Sequence, residues 1–138
     1  MKTFAMFIVV AFCLGLTACS KDAEVNAFIA EFDSTTKELI SKIDANPTAA
    51  GIDDAQKAFD GKKAGLKVKW DAIKDAVGFQ VSADTKKKLE DTVKKNMDDL
   101  QKVSSKHEET IASDPQAIQK FTKLITDFTS MFGDEKAK

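Results

Sequence analysis

The chain has 138 residues, with 21 lysines against 22 acids, one histidine, one tryptophan, two cysteines, no tyrosine and no arginine. At 43% apolar residues it can bury a core of about one domain, and a net charge of −1 gives no electrostatic reason to expect nucleic acid as a partner. Cys13 and Cys19 both fall within the first 19 residues, which excludes a disulfide framework or a thiolate zinc site in the rest of the chain.

The first predicted element is an address. Lys2 supplies a short positive region, and residues 4–16 follow without a charge. A spanning helix needs about 20 apolar residues, so this run is too short to remain in a bilayer. A positive start, a short apolar core and then small residues predict a secretory signal. The run closes on Leu16-Thr17-Ala18-Cys19. These four residues resemble the lipobox of bacterial lipoproteins, in which the chain is cut before the cysteine.

That resemblance implies cleavage between Ala18 and Cys19, a diacylglyceryl thioether on Cys19, and an acyl group such as palmitate on its amine. Each buried methylene contributes about 0.8 kcal/mol, so several chains together hold a protein firmly at a membrane. In lipoproteins of hosts with two membranes, the residue after the cysteine influences sorting. Ser20 stands there, which implies the periplasmic side of the outer membrane. The resemblance covers the targeting segment alone. The expected organisation is a signal peptide over 1–18, a lipidated start and short linker over 19–22, a helical bundle over 23–133 and a polar tail over 134–138.

Helical spacing runs through the rest. In the first segment Val25, Phe28, Ile29, Phe32, Leu39, Ile40 and Ile43 recur at three and four, with Thr36 in one slot. Asp22 is its expected N-cap and Asn46-Pro47 its stop. The second segment carries Ile52, Ala55, Phe59, Leu66, Trp70, Ile73 and Val77, ending at Gly78. Gly61 and Gly65 interrupt it, each costing a helix interior about 0.8–1 kcal/mol against alanine, so a kink or break is expected there.

The third segment starts near Ser82 and carries Leu89, Val93, Met97, Leu100, Val103, His107 and Ile111. Ser113 or Asp114 caps the fourth, Pro115 opens it, and Ile118, Phe121, Leu124, Ile125, Phe128, Met131 and Phe132 form its stripe up to Gly133. Short polar connections between long amphipathic helices favour antiparallel neighbours. The expected fold is therefore an all-α, up-down-up-down antiparallel four-helix bundle.

Chemistry is harder to find. His107 is the sole imidazole, placed on the inward stripe, where a packed histidine competes with a pH- or metal-responsive one. The carboxylate-bridged metal bundles need Glu-x-x-His on two helices, and residue 104 is Ser104. Haem held by His107 and Met97 fails on distance, since ten helical residues span about 15 Å. Asp53-Asp54 and Asp98-Asp99 are adjacent on helices and splay apart, so they are not acid–base pairs. Without arginine, bidentate phosphate clamps are unavailable. No enzyme, cofactor or metal is expected.

What remains is aromatic. If the helices alternate, Phe28, Phe32, Trp70, Phe128 and Phe132 collect at the end beside Cys19, with Leu89 and Val93. That cluster is either core or a site for an apolar ligand such as a lipid. The lysines at 86–88 are interleaved with acids and read as a solvated face. The sequence thus leaves three functions open. One is contact with an unknown envelope protein or a second copy; the others are carriage of an apolar ligand, and a response centred on His107.

Overall fold

The structure, a computed structural model, describes residues 20–132. Within them the chain is all-helical: α1 (Asp22–Ala45), α2 (Ala49–Ile73), α3 (Ala83–Lys106), the short α4 (Glu108–Ala112) and α5 (Pro115–Ser130). Among the described residues no helix is long and apolar enough to cross a membrane. The signal peptide, Ala18, Cys19, Gly133 and the polar tail lie outside the described residues.

Several boundaries follow from local chemistry. Ser82 caps α3, its hydroxyl accepting from the Thr85 N–H at 3.3 Å. Asp114 caps α5, accepting from the Gln116 N–H at 2.9 Å, and Pro115 sits where its missing N–H costs nothing. Asp22 departs from its expected place. It is the first residue of α1 rather than its cap, and its carboxylate accepts the Ser82 N–H at 2.8 Å. A partner 60 residues away thus takes the acceptor that local capping would have used.

The expected break in the second helix does not occur. α2 runs through Gly61 and Gly65 without interruption, and a Cβ at either would meet nothing within 4 Å. Their cost is therefore backbone propensity alone, which the buried Phe59 and Leu66 on either side offset. α2 ends at Ile73, and residues 74–80 form successive turns before α3. The helix break falls elsewhere, at His107, whose backbone (φ −112°, ψ 23°) leaves the helical region and separates α3 from α4. The described residues thus form five helices, four of them long.

α1 is the hub. It packs on α2 and α3, α2 packs on α5, and α4 bridges α3 to α5. Polar contacts between helices show the directions. Lys62 with Glu38 (3.8 Å) and Lys69 with Glu31 set α2 antiparallel to α1. Lys88 to Asn26 (2.7 Å) and Lys106 to Asp44 (2.6 Å) keep one register, so α3 runs parallel to α1. Lys120 with Asp53 (2.9 Å) and Lys63 with Asp127 (3.5 Å) set α5 parallel to α2. Of the helices that follow one another in sequence, α1 and α2 pack on each other, whereas α2 and α3 do not share a main interface. The turns at 74–80 carry the chain past the end of the array, letting α3 settle on α1 instead of α2.

The core is built from Val25, Phe28, Phe32, Leu39 and Ile43 of α1 against Ile52, Ala55, Phe59 and Leu66 of α2, all fully buried. Two threonines fit beside them because each hydroxyl bonds back along the helix, Thr35 to the Glu31 carbonyl and Thr36 to the Phe32 carbonyl. On α3 the buried face includes Thr85 and Asn96, while Val93 and Met97 are only partly covered. Asn96 leaves its Nδ2 without a hydrogen-bond partner.

Candidate functional site

The five predicted aromatics do come together. Phe28 and Phe32 sit one turn apart on α1, and their rings stack with centroids 5.8 Å apart. Phe128 of α5 stacks on Phe32 at 4.9 Å. Phe132, just past α5, meets Phe28, Phe32 and Trp70 edge-on at 6.3, 5.0 and 5.3 Å. Offset and edge-to-face geometries of this kind are the favourable ones for aromatic pairs. The Trp70 Nε1–H donates to the Phe132 carbonyl at 3.1 Å, which satisfies a polar group at the end of α5.

Phe59 also belongs to the assembly, 5.6 Å from Phe128. Its place on the apolar stripe of the second segment was visible. Its membership in the aromatic stack was not, because that depends on how far α5 slides along α2.

Phe28, Phe32 and Phe128 are fully buried against one another, so they form core and not the lining of an internal chamber. The opening lies on their outer side. Trp70, Val77, Leu89, Val93 and Phe132 line a groove of about 680 Å³, and Lys74, Asp75, Glu90 and Lys94 rim it. It exists because α3 leans on α1, leaving a cleft toward the ends of α2 and α5. Leu89 and Val93, expected among the clustered residues, are here the far wall of that groove.

The same end holds the start of the described chain. The Ser20 hydroxyl accepts the Asp22 N–H at 3.3 Å, and the Lys21 N–H donates to the Gln80 carbonyl at 2.9 Å. Asp22, expected in the linker, is already helical. Its carboxyl is held below the usual carboxylate range, chiefly by the backbone N–H of Ser82.

The opposite end is charged. His107 Nε2 lies 2.7 Å from Asp44 Oδ1, and Lys106 Nζ reaches the same oxygen at 2.6 Å. Hydrogen bonds from Lys106 and then His107 lower the Asp44 carboxyl from its ordinary value. Asp53, bonded to Lys57 at 2.8 Å and to Lys120 at 2.9 Å, is held at about 2. Among the described residues no group of three or more His, Cys, Asp and Glu side chains could hold a metal ion. On the lysine-rich start of α3, Lys87 pairs with Asp91 at 2.6 Å and Lys88 reaches Asn26.

Comparison with protein-family models, with curated proteins and with solved structures gives no match.

Proposed function

We propose that this chain is a lipid-anchored, non-enzymatic envelope protein: a four-helix bundle of alternating direction, held through an acylated Cys19 at the periplasmic face of the outer membrane of a diderm host. It works by contact with an envelope protein or with a second copy of itself. The observation that carries this reading is the missing spacer. α1 opens at Asp22, and Lys21 is tied by its backbone to Gln80, so a lipid on Cys19 would hold the helices against the bilayer. A protein so held acts where its anchor places it.

The test is Cys19→Ser in the host, read by fractionation and by the mass of the N-terminal peptide. The unaltered chain is expected in the membrane fraction with an acylated Cys19, and the variant is expected to lose the acyl mass. An unmodified thiol on the unaltered chain sinks the proposal. With the anchor established, crosslinking in intact cells then identifies what the bundle touches.

The groove beside Trp70 and Phe132 favours a second reading, carriage of an apolar molecule. Its volume of about 680 Å³ falls within the range of about 300–1,000 Å³ common to small-molecule sites. Native mass spectrometry of protein purified gently from its host would show a monomer with added mass, lost on denaturation and absent from Val93→Lys. A bare chain would remove this reading and leave the contact role.

A further inference from the structure

The turns joining α2 to α3 contain the most exposed large apolar residue described. Phe79 is 75% exposed. Its neighbours behave differently: Ala76 is buried, and Val77 and Val81 pack against the core. The turn is thus well seated, and one ring alone is turned outward. Its backbone is ordered by the Phe79 and Gln80 N–H groups, which both donate to the Ala76 carbonyl, at 3.1 and 2.8 Å.

The position of this ring relative to the chain start is set by two hydrogen bonds. Lys21 N–H donates to the Gln80 carbonyl at 2.9 Å, and the Ser82 N–H donates to Asp22 at 2.8 Å. Cys19 is two residues before Lys21, a distance the chain can span with at most about 7 Å. An acylated Cys19 therefore brings the bilayer surface to the same end of the molecule as Phe79.

We infer that Phe79 is a second, non-covalent membrane contact, entering the interface beside the anchor and fixing which end of the helices faces the lipid. This rests on the anchored reading above. The occupant is the bilayer and not a protein, because the lipid is tethered within reach and a solvent-facing ring lowers its free energy by entering it. Lys21 pairs with Glu24 at 2.8 Å and Lys74 with Asp71 at 3.0 Å. The contact proposed is made by the ring and is tested on neutral lipid.

The test uses protein produced from the full chain in its host, extracted and reconstituted into neutral phosphatidylcholine vesicles that carry brominated acyl chains. Phe79→Trp adds a reporter at the turn, and Ile118→Trp adds one at the other end; the emission of unaltered protein is subtracted for Trp70. Phe79→Trp is expected to lose at least about half of its added emission to the bromines, as a ring at the ~5–10 Å depth of interfacial side chains would. Ile118→Trp is expected to keep its emission.

The mass of the N-terminal peptide is measured on the same sample. Acylated Cys19 with an unquenched Phe79→Trp overturns this inference and leaves the anchor standing. Equal quenching of both reporters also overturns it, since the protein then has no fixed orientation. An unmodified Cys19 overturns the anchor and this inference with it.

Discussion

The two ends of the molecule are held by different forces. At the end where α1 begins, Phe28, Phe32, Phe128, Phe132 and Trp70 interlock, and the polar groups among them are satisfied by a single indole bond. At the other end Asp44, Lys106 and His107 meet, and Asp53 joins Lys57 to Lys120, around aliphatic residues such as Ile43 and Ile52. Burial of aromatic area is large and indifferent to pH and salt. Exposed ion pairs are weak, screened and lost when one partner is neutralised. The aromatic end should therefore carry most of the stability, and the charged end most of its dependence on conditions.

Removing a ring is the largest way to break that contrast. Phe32→Ala should cost about 3–5 kcal/mol in denaturant unfolding, because Phe32 is fully buried and touches Phe28, Phe128 and Phe132. A loss below about 1 kcal/mol would show that the stack is not what holds this end together.

The charged end has one comparably sensitive point, and it is steric. α2 starts so close to the end of α1 that a Cβ on Gly51 would lie 1.8 Å from the Asn46 carbonyl oxygen. Gly51→Ala must shift backbone and should cost about 1–3 kcal/mol or more, read from the same unfolding curves. Gly61 and Gly65 supply the opposite sign. Nothing stands near either, so Gly61→Ala or Gly65→Ala should stabilise by about 0.8–1 kcal/mol. Destabilisation at either site would mean that α2 needs glycine there for a bend.

The smallest effect is the titration of the charged end. Asp53 is held at about 2 by Lys57 and Lys120. Its folded value lies below the unfolded carboxylate value near ~3.9, so its contribution is complete above that value and disappears as pH falls through about 2. Across that window unaltered protein should lose stability more steeply than Asp53→Asn, and added salt should narrow the difference. Parallel curves would remove Asp53 as a source of acid sensitivity.

The sequence was most informative where the determining interaction is short. Ser82 and Asp114 cap their helices through atoms two or three residues away, and Pro115 opens α5 by its own ring. The aromatic end was legible too, because residue spacing along helices of predicted length places its members at one level. Three features were not. Asp22 read as a cap and is a bridge to Ser82. The glycines of α2 read as a kink or break, and the helix runs through both of them without a break. His107 read as an inward residue in mid-helix and marks the end of α3, with its ring drawn to Asp44.

By itself, then, the sequence determined that residues 22–132 are largely helical, roughly where each long helix begins, and most of each apolar stripe, although Ile118, placed on the stripe of α5, is 44% exposed. Those follow from a 3.6-residue period and from caps, which are local. Only the tertiary structure decided that α3 lies on α1 and α5 on α2, that the cleft between them opens beside Trp70, and that Phe79 faces outward at the end where the chain enters the fold. A helix with one apolar stripe can satisfy it against several partners. The choice rests on contacts between residues about 60 apart, such as Asn26 with Lys88 and Trp70 with Phe132, which no local pattern encodes.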